Sequence, residues 1–227
     1  MIRWLLLLAA VAAPLLAQQS IFDVPSADVS PKGQWFFQHQ TVARETQPDR
    51  HWFLSNAYGY GVGHNLELDA TLYSLAIHRP SLAVSAFGFK WNPRLNSATA
   101  KIPTRLVAGE MFTLRKAADG RLGHWSYVML SAELPRGARL TGGVTTGTTS
   151  LFGHKTTAAV AGWEQTLTKR WMFQVDWFSG KNDLGYWIPG FVRRVSDHWM
   201  ISLGYQVPNR HSDGFHAVVL ELTRVPE

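Results

Sequence analysis

Between Asn65 and Leu75 the chain reads NLELDATLYSL, so that Leu66, Leu68, Ala70 and Leu72 alternate with Glu67, Asp69 and Thr71. A repeat of two marks a pleated strand, because successive side chains leave opposite faces. The same period recurs in WMFQVDWFS, where Trp171, Phe173, Val175 and Trp177 oppose Met172, Gln174 and Asp176. It recurs again in YVMLSAEL, where Val128, Leu130, Ala132 and Leu134 oppose Tyr127, Met129, Ser131 and Glu133. About twelve such segments follow one another, near residues 34–43, 52–61, 65–77, 82–91, 103–114, 124–134, 138–149, 156–167, 171–180, 185–195, 199–208 and 215–225, with turn residues between them. No helical period and no linker interrupts this series. The expected fold is therefore all-β, an up-and-down antiparallel barrel in a single domain.

The first residues, MIRWLLLLAAVAAPLLAQQ, place Arg3 ahead of an apolar run that ends in small residues. That order predicts a secretory signal peptide over residues 1–17, since the run falls short of the roughly 20 apolar residues that a spanning helix needs. Residues 18–33, which contain FDVPSADVSPKG, form an N-terminal segment expected on the periplasmic side, a candidate plug or rim element. Residues 34–227 then form the barrel. The chain has no Cys, so disulfides do not hold it together. Its formal net charge of +6 would suit nucleic acid, but an export signal argues against that partner.

Connection lengths add an orientation. VGHN, PRGA, TKR and SDH are tight, whereas RETQPDRH, RKAADGRLGH, SLFGHK, GKND and PNRHSDG are longer and lie at alternate positions. Short turns on one rim and long loops on the other are the habit of outer-membrane barrels. HRPS, which reads as short, and NPRLNSATAKIP, which is long, depart from it. There are ten Trp, and Trp35, Trp52, Trp125, Trp171 and Trp199 fall near strand starts, where membrane girdles sit. Only 17% of residues are charged, too few for a soluble β-surface of this size. A soluble periplasmic β-protein is the alternative.

SADVSPKGQWFFQ before the first strand and the hairpin YGYGVGHNLELDATLY resemble Gram-negative outer-membrane β-barrels, in particular the porin-like transport group associated with the degradation of aromatic compounds. The likeness is one of layout over most of the mature chain. It implies an outer-membrane location and transport. The ending LELTRVPE departs from the aromatic final residue usual in such barrels.

On this register Glu67, Asp69, Glu110, Glu133, Glu164, Asp176 and Glu221 are expected to line the lumen, while most Lys and Arg sit in turns and loops. Inward carboxylates select for cations, which predicts a narrow passive channel for small polar or cationic solutes. The competing account has these acids pairing with Lys90, Arg139 or Arg193 and closing the lumen. Rim bases suit contact with outer-membrane lipid and the phosphates of lipopolysaccharide. GHWSY supplies His124 and Ser126 on the lipid-facing side of one strand, similar to the His-x-Ser pair of outer-membrane phospholipases and lipid A deacylases. An outer-leaflet lipid hydrolase using Ser126 and His124 is therefore an alternative, although the seventh strand offers only Thr where an orienting residue is needed. A sealed structural or binding barrel is a third reading. His211, Ser212 and Asp213 in RHSDG read as a turn, and the nine His show no metal-ligand spacing, so neither metal nor cofactor is expected. Oligomeric state is left open.

Overall fold

The structure, a computed structural model, describes residues 20–44, 51–73, 84–116, 122–153, 155–181, 184–210 and 215–226. The expected signal peptide and the residues His211, Ser212 and Asp213 lie outside them. Twelve strands are present: Trp35–Arg44 (β1), His51–Gly63 (β2), Leu66–Tyr73 (β3), Val84–Trp91 (β4), Thr104–Lys116 (β5), Leu122–Leu134 (β6), Ala138–Gly147 (β7), Thr157–Thr166 (β8), Trp171–Phe178 (β9), Tyr186–Arg194 (β10), Trp199–Pro208 (β11) and Ala217–Arg224 (β12). Each pairs antiparallel with its sequence neighbours, and β1 pairs with β12 from Phe37↔Arg224 to Arg44↔Ala217. Closure leaves no strand edge, the condition a sheet must meet to lie in lipid.

Local chemistry explains the tight turns. At VGHN, His64 and Asn65 both adopt left-handed backbone, with φ of 55° and 60°. Two consecutive left-handed residues match the twist of a hairpin, and Asn accepts that conformation better than most residues. At PRGA the same role falls to Arg136 and Gly137. The long connection NPRLNSATAKIP is itself hydrogen-bonded. Leu95 N–H donates to Thr104 O at 2.9 Å, and the Asn96 side chain bridges Ile102 O and Thr104 N–H, each at 2.9 Å. The third connection, read as HRPS, lies outside the described residues, which end at Tyr73 in β3 and resume at Val84 in β4.

Burial settles which face of NLELDATLYSL meets what. Glu67 and Asp69 are buried in the barrel interior, whereas Leu68 is half exposed on the outside. Phe87, Phe112, Leu114, Val128, Leu130, Val144 and Leu203 repeat that outward exposure around the wall. A soluble protein rarely presents so extensive an apolar band, and a bilayer requires one. Aromatic residues bound the band at both rims. Trp35, Tyr60, Trp91 and Trp171 lie near the rim of short turns, and Trp52, Trp177 and Trp187 near the rim of long loops. Arg224 stacks 4.0 Å over the Trp35 ring, and Arg193 lies 5.4 Å over Trp171.

Two expectations need correction. Trp125 is not a girdle residue: it points inward and packs on Tyr127 and Phe178. Its parity within β6 is that of the buried Tyr127 and Met129, whereas the lipid-facing set is Val128 and Leu130. Arg193 points outward onto Trp171, so it cannot partner the interior acids.

Candidate functional site: a lumen crossed by the N-terminal segment

Residues 20–30 lie inside the barrel, residues 31–33 emerge exposed at the short-turn rim, and the wall is shaped to receive the buried part. Ile21, Phe22, Val24 and Ala27 are buried. Burying side chains of this kind stabilises by roughly 1.5–3 kcal/mol for each larger one. Room for them comes from glycines on the inner face. A Cβ at Gly162 would collide with the end of Ile21, and one at Gly190 or Gly204 would collide with the Phe22 ring. A Cβ at Gly61 would strike the backbone of Ser30 and Pro31.

Interior carboxylates then fasten the segment. One oxygen of Asp176, on β9, accepts the backbone N–H groups of Phe22, Asp23 and Val24 at 3.1, 2.7 and 2.8 Å. Nearby, the Gln174 amide donates to Ile21 O. Across the barrel, Glu67 on β3 accepts Ser30 N–H at 2.7 Å and pairs with Lys90 on β4 at 3.3 Å. Asn92 donates to Ala27 O. Between these anchors, Arg139 on β7 forks onto Asp28 at 2.9 and 2.8 Å, and onto Glu164 at 2.6 and 2.5 Å. Such bidentate, charge-assisted pairs are the strong ones. Glu221 accepts from Gln38 at 2.8 Å and from Gln40 at 3.2 Å. Gln40 also donates to Asp23 at 3.0 Å, as does the Tyr186 hydroxyl at 2.8 Å. Burial pushes the Asp23 carboxyl above its ordinary value, and those two hydrogen bonds oppose the shift.

The segment divides the interior. Towards the long-loop rim lies a cavity of about 730 Å³, floored by Phe22, Asp23 and Pro25. Its walls mix aromatic side chains, among them Phe53, Trp125, Tyr127, Phe178 and Tyr186, with polar and charged ones such as Gln38, Arg44, Asp69 and Lys90. Phe152, in a short helical turn over Thr149–Phe152, helps to roof it. Towards the short-turn rim a smaller cavity of about 320 Å³ lies between residues 27–32 and the turn at His64 and Asn65, with Arg105 beside it.

Of the acids expected in the lumen, Glu67, Asp69, Glu164, Asp176 and Glu221 lie there, all buried. Glu133 also has the inward parity, but it sits at the rim, 40% exposed and 3.9 Å from Arg105. Glu110 is a correction: it lies on the outer face. In β5 the buried side is Val107, Met111 and Thr113, while Phe112 and Leu114 flank Glu110 on the exposed side. Glu110 pairs in register with Ser126, and its carboxylate meets both Ser126 and His124. The anchoring roles of Asn92, Gln174 and Asp28 escaped the sequence reading, because nothing in a linear pattern shows what an N-terminal segment will touch.

The closed wall, lipid-type outer surface and polar interior define a transmembrane β-barrel of the outer-membrane class. Among solved structures, the chain is similar in fold to the outer membrane protein Omp33 of Acinetobacter baumannii, at 8% identity and a TM-score of 0.46, with 86% of this chain and 98% of that one covered. It is also similar to the COG4313 outer membrane channel from Pseudomonas putida F1, at 12% identity and a TM-score of 0.47, with coverage of 89% and 100%. No known protein family matches the sequence, and no curated protein does. Such likenesses describe the shape of the wall and say nothing of what passes through it.

Proposed function

We propose that the protein is an outer-membrane uptake channel in which the N-terminal segment acts as a plug. Its outward chamber receives a small, mainly apolar or aromatic solute carrying one or two polar groups. Short turns mark the periplasmic rim of such barrels, so the larger cavity opens towards the cell exterior. The observation that carries this reading is the chamber itself, with clustered aromatic side chains in its walls and a floor made by Phe22, Asp23 and Pro25. Its volume is that of a small-molecule pocket, and an apolar lining with a few polar groups is how such pockets orient a ligand. A preference for cations has less support. Glu67, Glu164 and Asp176 each hold the segment or a buried base, so their charge is already compensated where a passing ion would need it.

Passage requires the segment to shift. In planar bilayers the folded wild type should show rare, brief openings. Asp176→Ala combined with Arg139→Ala, which removes the anchor on residues 22–24 and the one on Asp28, should lengthen and multiply them. A steady, large conductance in the wild type, or a folded double variant that stays as closed as the wild type, would refute the plug.

A further inference from the structure

The lipid-facing wall carries a polar cluster that transport does not use. Glu110 on β5 and His124 and Ser126 on β6 meet in the outward half of the apolar band. Glu110 Oε1 lies 3.2 Å from His124 Nδ1, and Ser126 Oγ lies 3.5 Å from the same nitrogen. The Ser126 hydroxyl donates to the other carboxylate oxygen of Glu110. Phe112, Leu114 and Leu122 surround the cluster with apolar surface. An acid exposed towards lipid is costly, and in membrane proteins such groups mark function by default. Ser126 is four residues from the long-loop end of β6, roughly 10 Å below it for a tilted strand.

From this geometry we propose that Ser126, His124 and Glu110 form an ester-hydrolysing site on the outer wall of the barrel, whose substrate is an acyl ester of an amphiphile in the surrounding leaflet. Serine supplies the nucleophile, histidine the base, and glutamate the group that orients the ring. Below Ser126, the outward side chains Val128, Leu130 and Val144 form an apolar track along which an acyl chain lies. Thr146, opposite Ser126 in register, bonds Thr157 at 3.1 Å and provides hydroxyls on the other side of the serine.

In the resting arrangement both partners face Nδ1. The half-exposed imidazole turns to present Nε2 to Ser126 while Nδ1–H stays on Glu110, an adjustment in keeping with the loose hydrogen bonds of unliganded sites. Ser126 Oγ then attacks the ester carbonyl as its proton passes to His124. The carbon–oxygen bond to the alcohol breaks, and the alcohol leaves with that proton. Water, deprotonated by His124, attacks the acyl-serine, and the fatty acid leaves as the serine recovers its proton. The site lies on the opposite side of the wall from the chamber and does not depend on the plug.

The test treats folded protein in detergent–phospholipid micelles with an alkyl fluorophosphonate, which loses fluoride to an activated serine, and maps the adduct by mass spectrometry. Fatty acid release from the same phospholipid is followed in parallel. Retention of the barrel is checked by heat-modifiable migration on gels. The expected result is an adduct at Ser126 with fatty acid release, both lost in Ser126→Ala and reduced about 100-fold in His124→Ala, the scale of general-base catalysis. Glu110→Gln should reduce both more mildly. Folded wild type that neither forms the adduct nor releases fatty acid, or release that persists in Ser126→Ala, would overturn the proposal.

Discussion

Arg139 offers the sharpest test of how the segment is held. Its guanidinium is buried and forks onto Asp28 of the segment and Glu164 of β8, so removing it strands two carboxylates against one another. Breaking a buried pair by deleting one partner costs roughly 3–5 kcal/mol. The two hydrogen bonds to Asp28 exist only while the segment is seated, and bonds to charged groups are worth about 1.5–3 kcal/mol each before non-additivity. Taking about 3 kcal/mol as the share that falls on seating, Arg139→Ala should raise the unseated population roughly 150-fold. The chain has no Cys, so Ser26→Cys would introduce a unique thiol at a fully buried position of the segment. Maleimide should then label that thiol about 150-fold faster in the Arg139→Ala background, provided the barrel stays folded. Replacing the charged trio together, as Arg139→Met with Glu164→Leu and Asp28→Asn, should restore much of the slow labelling, because no buried charge is left unpaired. An equal labelling rate with and without Arg139 would mean that the segment is held by its apolar contacts, and the ionic argument would be wrong.

Two further outcomes follow from the same contacts. Gly162→Ala places a methyl group against the flexible end of Ile21, so it should loosen the segment and raise channel openings, and a second change, Ile21→Val, which removes the clashing terminal methyl, should largely reverse the effect; unchanged bilayer recordings would refute the close fit. Glu67→Gln removes the carboxylate that lies 3.3 Å from the buried Lys90 ammonium, and should destabilise the barrel by about 3 kcal/mol in urea unfolding, with recovery in Glu67→Gln plus Lys90→Met; an unchanged midpoint would show that the pair contributes nothing.

Much of the architecture was legible in the residue pattern alone. Strand number, their near boundaries, the antiparallel order and the two-sided wall follow from a period of two and from the turn residues, because both are local properties of the chain. The outward apolar face could be read from Leu66, Leu68, Ala70 and Leu72, since a membrane barrel inverts the usual arrangement without altering its period. The face of β5 was the hard case. Its outward set is Leu106, Ala108, Glu110, Phe112 and Leu114, and one acid in an otherwise apolar row reads as the exception to be explained away. Grouping Glu110 with the inward acids followed from chemical likeness; parity in the strand says otherwise, and parity was available in the letters.

What only the tertiary structure decided is partnership. Asp176 and Phe22 are 154 residues apart, Arg139 and Asp28 are 111 apart, and Glu110 and Ser126 meet through a sheet register. Each of those residues carries the same formal charge or polarity in the sequence whatever it touches. Whether a carboxylate in a barrel draws ions, seats a plug or steadies an imidazole depends on which donors closure of the sheet brings within about 3 Å of it, and that distance is set by the fold.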